Sequence, residues 1–181
     1  GGVTAQMVYR GLQLANQGDE LWLIAPWGVE VDRVVWGGET GLRAPTGASL
    51  ERAGFDAAAT WLRASAGWPG SAGDLGSPGV AYTSPTPVPT PLPTATGTAT
   101  DQPTPTLTLT PPPAFPPRLW ISELMIDPAA VADESGEWVE VYNGDSFAVD
   151  LHGWILADDG RDWAVLDAGT VLQPGAYAIL A

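Results

Sequence analysis

The chain has no cysteine, no lysine and a single histidine among its 181 residues. Without cysteine there are no disulfides, no thiolate metal sites and no cysteine nucleophile, although the redox compartment stays open. One histidine and no cysteine give zinc chemistry no support. That histidine, His152, lies in a Gly-Trp strand motif, and no nucleophile-elbow sequence accompanies it. A Ser-His-Asp triad therefore has no footing, and His152 is expected to be structural. No run of about 18 apolar residues occurs, so no membrane span is expected. The first residues, Gly1-Gly2-Val3-Thr4, carry neither an initiating Met nor a signal-peptide pattern. The sequence is expected to be processed, or a piece of something longer.

What is present in excess is acid. The net charge is −14, and every one of the seven basic residues is arginine. Residues 1–82 hold eight acids and five arginines, whereas 118–181 hold twelve acids and two arginines. Such a surface repels phosphate backbones, which argues against nucleic acid as a partner. Solubility is the plain reading of the acidity. The sharper one is divalent-cation binding. Asp127, Asp133, Glu134 and Glu137 lie in or beside one loop, and Asp158, Asp159 and Asp162 in another. Ca²⁺ takes six to eight oxygen ligands from flexible acidic loops, so the first group is a candidate Ca²⁺ site. No EF-hand spacing is visible, and a solvated acidic loop is the competing explanation. No other cofactor is implied.

Residues 83–117 divide the chain. The stretch is dominated by Thr and Pro, as in Thr86-Pro87-Val88-Pro89-Thr90-Pro91. Proline fixes φ and removes amide donors, so neither helix nor sheet ladder is expected across it. In polyproline II, at roughly 3.1 Å per residue, the tract reaches about 100 Å. The composition is that of O-glycosylated stalks and equally of plain spacers. Candidate acceptors are Thr86, Thr90, Thr94, Thr96, Thr98, Thr100, Thr104, Thr106, Thr108 and Thr110.

The flanks read as β. Leu119–Ile126 has strand composition and stops at Asp127-Pro128; residues 137–142 alternate charge with apolar bulk before Asn143-Gly144-Asp145. Shorter strands are expected near 154–157, 163–166 and 177–180. Residues 20–24 and 29–36 predict a hairpin through Ala25-Pro26-Trp27-Gly28. Residues 57–62 read as a short helical turn, and 67–79 as a loop. Many short strands with Gly/Pro turns predict an all-β sandwich.

Specific motifs sharpen this. Ile121-Ser122-Glu123-Leu124, Asp127-Pro128, Glu137-Trp138-Val139-Glu140-Val141-Tyr142-Asn143, Asp150-Leu151-His152-Gly153-Trp154-Ile155-Leu156 and Pro174-Gly175-Ala176-Tyr177 follow one another in 118–181. This order resembles the lamin tail domain family, bacterial type, an immunoglobulin-like β-sandwich. The family's later segments resemble Leu14-Ala15-Asn16-Gln17-Gly18-Asp19, Gly28–Asp32, Ser49-Leu50-Glu51-Arg52 and Gly76-Ser77-Pro78-Gly79 at the start of this chain. The resemblance thus implies two half-domains in swapped order: 118–181 as the N-terminal half, 1–82 as the C-terminal half, and 83–117 as linker. Joining Ala181 to Gly1 on paper makes one continuous domain. Within the motifs Trp36, Trp138, Trp154 and Tyr177 are expected in core or inter-sheet packing. Gly18 and Gly153 are expected in turns needing positive φ, with Asn16 and Asp19 as turn hydrogen-bond partners.

A half-sandwich exposes strand edges and apolar faces, so it needs its complement. A covalent tandem array, subunits interlocking head to tail, or a closed permuted monomer would each supply it. The third makes the Pro/Thr tract a detour, which favours the first two. The expected function is therefore a structural repeat or subunit of an extracellular filament or cell-surface stalk, non-catalytic, with itself as partner and glycans on its spacers. The alternative is a surface- or ligand-recognition module of a larger secreted hydrolase or nuclease.

Overall fold

The computed structural model describes residues 3–55, 60–81, 116–158, 162–166 and 169–181. Apart from one helical turn at Asp133–Gly136, the described elements are strands. From the N-terminal segment come β1 (Gly18–Ile24), β2 (Glu30–Gly37), β3 (Leu50–Ala53) and β4 (Thr60–Arg63). From the C-terminal segment come β5 (Leu119–Met125), β6 (Trp138–Asn143), β7 (Val149–Asp150), β8 (Ile155–Asp158), β9 (Asp162–Val165), β10 (Val171–Leu172) and β11 (Tyr177–Leu180). They form a four-stranded sheet in the order β2-β1-β8-β9 and a five-stranded sheet in the order β11-β6-β5-β3-β4, with β10-β7 as a small third ladder. The architecture is an immunoglobulin-like β-sandwich.

Each large sheet is therefore composite. In the first, β1 and β2 of the N-terminal segment join β8 and β9 of the C-terminal segment at the β1/β8 ladder. In the second, β3 and β4 join β11, β6 and β5 at the β3/β5 ladder. Both segments are contributed by the same chain, an arrangement that costs little because a long loop adds little to the cost of closure.

Strand alternation builds the core. Leu21, Leu23, Val34 and Trp36 face inward from the first sheet, against Ile121, Leu124, Val139, Val141, Ala178 and Leu180 of the second. Full burial of each Leu, Ile or Val contributes roughly 1.5–3 kcal/mol, so segments that share this core hold each other firmly. Trp36 and Trp154 are buried in it as expected. Trp138 is buried as expected too, but outside the main core, in a second, smaller cluster with Met125 and Ile179 on the outer face of the five-stranded sheet, where Trp68 packs edge-on against it at 6.0 Å. Tyr177 also sits outside the core, on Tyr142 at 4.8 Å. Both follow from register: Trp138 pairs with Met125 and Tyr177 with Tyr142, all at outward positions.

The hairpin through Ala25–Gly28 forms as predicted, with Ala25 N–H donating to Val29 O at 2.9 Å and Gly28 N–H to Ala25 O at 2.8 Å. The expected helical turn over 57–62 is corrected in part: residues 60–63 are β4, paired with β3, and 57–59 fall outside the described residues. Trp61 there packs against the core, and its strand partner Arg52 also holds its guanidinium 5.7 Å from the Trp61 ring; these contacts override local helix preference.

The free edge of β11 is covered by the start of the chain. Met7 bridges Leu180 in parallel, Gln6 N–H donates to Ile179 O (2.9 Å), and Ala181 N–H to Met7 O (3.0 Å).

Gly18 and Gly37 oppose each other where β1 meets β2. A Cβ on Gly37, whose φ is +77°, would drive into the Gly18 backbone and the Gln17 carbonyl. Gly37→Ala is expected to lower stability by about 2 kcal/mol or more. A thermal melt within a degree of wild type would contradict this close approach.

Candidate functional site

The motif residues from the two segments meet along the seam. On β5 and β6 the paired outward positions include Glu123 opposite Glu140, and on β3 Glu51 stands opposite Glu123. Three carboxylates thus form a lateral row across adjacent strands, all of them buried. Like charges directly opposite on a sheet repel. What the row receives instead is a set of donors, mostly from the N-terminal segment. Glu123 accepts from Ser49 Oγ and, at 2.8 Å, from Ser77 N–H. Glu140 accepts from Gly79 N–H and, at 2.7 Å, from Ser122 Oγ.

Burial pushes the Glu123 carboxyl up to about 8; Glu140 and Glu51 add to the rise, while the Ser49 and Ser77 bonds oppose it. Burial likewise raises Glu140 to about 7, against its hydrogen bonds to Gly79 and Ser122. Glu137 is pushed up to about 7 by burial, aided by Asp133, and accepts from Leu14 N–H at 3.2 Å.

One buried ion pair completes the seam. Arg52 on β3 donates to Asp32 on β2, tying the two sheets together. Asp32 also accepts the Ile121 N–H at 2.8 Å, and Arg52 donates to the Ile121 carbonyl at 3.3 Å. The guanidinium lies 5.0 Å from the centre of the Trp120 ring, a cation–π contact. Burial raises the Asp32 carboxyl even with Arg52 beside it. Asp74 crosses the seam a second way, accepting from Ala129 N–H at 3.0 Å and Ala130 N–H at 3.2 Å.

The candidate Ca²⁺ ligands are not gathered into one site. Asp127 accepts from Thr46 Oγ1 at 2.5 Å, Asp133 from Asn16 Nδ2 at 3.0 Å, Glu137 from Leu14, and Glu134 is exposed. Among the described residues no group of three or more His, Cys, Asp or Glu is placed to hold a metal ion. Asn16, expected as a local turn partner, instead reaches the other segment; Asp19 does close its own turn, accepting from Ala15 N–H at 3.1 Å. Gly153 has the positive φ expected of it, +77°. His152 is exposed, its backbone N–H donating to Asp150 at 2.9 Å. The linker threonines from Thr86 to Thr110 lie outside the described residues. No helix among the described residues is long and apolar enough to cross a membrane.

Comparison with known proteins places the C-terminal part of this arrangement. Residues 112–181 match the Lamin Tail Domain family model. The match supports that family for the segment carrying β5–β11, and it agrees with the sandwich seen in the structure. No curated protein and no solved structure matches the chain. Sequence reasoning missed the carboxylate row, although all three acids stood inside quoted motifs. Alternation along β6 sets Glu140 outward, but Glu123 joins that face only through the bulge between Ile121 and Glu123, and only the β3/β5 register brings Glu51 beside them.

Two outcomes are expected from this geometry. Glutamates whose carboxyls are raised by folding hold protons that the unfolded chain has released. Their contribution is complete below about 4.5 and is lost as pH rises towards 8. The wild-type melting temperature should fall by several degrees across that window, and Glu123→Gln should flatten the fall; an equal slope in both proteins would refute it. Removing one partner of the buried pair, as in Asp32→Ala, should cost about 3–5 kcal/mol, whereas Asp32→Leu with Arg52→Met should cost much less. Denaturant unfolding of the three proteins checks this.

Proposed function

We propose that the chain is a non-catalytic structural unit of an extracellular filament or cell-surface stalk. Its beads are lamin-tail-like sandwiches, each completed by a 118–181 segment and a 1–82 segment. In this reading 1–82 supplies the part of the family domain that follows 118–181, so the two halves stand in swapped order. The observation that carries the proposal is the composite nature of both sheets. Each is divided at one strand-to-strand ladder, and either segment alone would bare an edge in both sheets. The contacts that close one chain on itself also serve between neighbours, and a heterologous exchange of that kind propagates.

The tract supports the reading by its length. Gly79 N–H bonds Glu140, and the Arg118 carbonyl accepts from Gly144 N–H at 2.8 Å. Glu140 and Gly144 are about 13 Å apart along one strand direction, so the tract begins and ends close to the same strand. A spacer reaching about 100 Å far exceeds that gap, and suits beads held apart. Glycans on its threonines would stiffen it.

A specific feature favours the second reading, a recognition module of a larger secreted hydrolase or nuclease. A hollow of about 530 Å³ on the five-stranded sheet is lined by Phe55, Arg118, Trp120, Tyr142 and Gly144. Phe55 stacks on Tyr142 at 4.4 Å, leaving an aromatic wall with one cation beside it.

Electron microscopy of native material, with the intact mass of the denatured, deglycosylated chain, tests the proposal. Beaded filaments that release subunits near 18.8 kDa are expected. Discrete single beads at every concentration would overturn it.

A further inference from the structure

The outward face of the five-stranded sheet changes character along its strands. Around Met125 and Trp138 it is covered by Trp68, Val3 and Ala5, and at Glu123 and Glu140 by the 76–79 segment. Beyond these, register sets Trp120, Tyr142 and Tyr177 in one lateral row across β5, β6 and β11. Phe55, just past β3, joins the row, 4.4 Å from Tyr142 with the planes 17° apart and 6.4 Å from Trp120. All four rings are only partly buried. Phe55, Trp120 and Tyr142, with Arg118 and Gly144, line the hollow of about 530 Å³.

Its walls are fixed before anything enters. Tyr142 rests against Tyr177 at 4.8 Å as well as against Phe55, and the buried Arg52 guanidinium stands 5.0 Å from the Trp120 ring. Rings already held by neighbours lose little freedom on binding. Gly144 keeps one polar group of the wall clear. A Cβ there would lie 3.1 Å from Trp120 Nε1 and 3.3 Å from the Arg118 carbonyl. Its φ lies outside the left-handed region, so the turn itself does not demand glycine. At the rim Arg118 is exposed, and Asp145 accepts its backbone N–H at 2.6 Å, which sets a carboxyl group beside that residue.

Resting on the second reading above, that of a recognition module, we infer that this hollow binds a neutral carbohydrate, with a pyranose ring laid against the aromatic wall. A pyranose is apolar on its C–H faces and rimmed by hydroxyls, each of which donates and accepts. The rings take the C–H face through dispersion. The Arg118 guanidinium and the Trp120 indole N–H donate to hydroxyls, and Asp145 accepts from one. A purely apolar ligand would displace water from the guanidinium and the indole and replace none of its hydrogen bonds. A proline-rich peptide also suits aromatic walls, but it offers mostly carbonyls and leaves Asp145 little to accept. The net charge of −14 repels phosphates and acidic polysaccharides alike, which leaves neutral sugars. The volume falls within the roughly 300–1,000 Å³ of small-ligand sites. Open to water on one side and with few polar contacts, the hollow binds weakly, with a Kd on the order of 0.1 mM.

Titration of the full chain with cellohexaose, chitohexaose and mannohexaose, followed by calorimetry and tryptophan emission, tests this. Saturable binding of at least one of the three is expected, with a change in emission. Trp120→Ala and Gly144→Ala should each weaken it at least tenfold, the first by removing the wall and the second by closing the indole N–H. Arg118→Gln should weaken it severalfold with thermal melting unchanged, because the side chain is exposed. Trp163→Ala removes a tryptophan that is 60% exposed on the other sheet and should leave binding intact. Where Trp120→Ala fails to fold, Gly144→Ala and Arg118→Gln still decide. No binding of any of the three up to about 10 mM would overturn the inference, as would binding unmoved by Gly144→Ala and Arg118→Gln, or weakened equally by Trp163→Ala. A synthetic peptide with the sequence of residues 83–93 separates this failure from that of the recognition reading. Peptide binding that Gly144→Ala abolishes, with the sugars inert, would remove the carbohydrate and keep a recognition site. Silence from sugars and peptide together would remove both.

Discussion

Everything in this fold depends on pairing two strand edges that the chain keeps far apart in sequence. The β1/β8 and β3/β5 ladders join residues separated by more than seventy positions, and without them neither sheet has its second side. A buried backbone amide or carbonyl left unpaired costs free energy comparable to a lost hydrogen bond. The apolar inner faces raise the stake, because the core is filled from both segments and neither has one of its own.

The polar part of the seam has a different character from the apolar part. Arg52 and Asp32 form a buried pair that apolar residues of like volume would replace at little cost, so its worth lies less in energy than in placement. Asp32 on β2 also holds the Ile121 amide at the β5 bulge, and Arg52 holds the carbonyl of the same residue. Both partners of the pair come from the N-terminal segment, while the peptide they grip belongs to the C-terminal one. A pairing shifted by one residue would bury the pair without that peptide. The seam is thus specified in register as well as joined, which a ladder of backbone bonds alone would not ensure.

The strands were legible in the sequence wherever alternation was long enough to see. Residues 177–180 were placed to the residue, and β1, β2, β5, β6, β8 and β9 to within two, because their inward positions recur with period two. The two-residue strands β7 and β10 left no periodic signal, and β4 was misread because Thr60-Trp61-Leu62-Arg63 carries no strand pattern of its own and forms only against β3. Bulk foretold the burial of Trp138 but not its face; register sets that, and Trp138 shares its face with Met125 and Glu140. The candidate metal ligands failed on another count. Clustering in sequence around one loop did not become convergence: Asp127, Asp133 and Glu137 each accept from a different donor, Thr46, Asn16 and Leu14, and Glu134 is exposed.

The carboxylate row explains how such exposed edges are tolerable before they pair. In a C-terminal segment without its complement, Glu123 and Glu140 stand on neighbouring strands with no donor from residues 49, 77 or 79. Water then reaches them, and they ionise. Inward or edge-flanking charge of this kind is a known guard against indiscriminate strand addition, since an incoming edge would have to bury it. The N-terminal segment alone brings Ser49 Oγ, Ser77 N–H and Gly79 N–H to the right places. Even so, burial shifts both carboxyls upward, so closing the seam near neutral pH takes up protons. The same residues therefore penalise wrong partners and couple right pairing to pH. A mildly acidic medium favours closure, and an alkaline one loosens it at the row before the apolar core is touched.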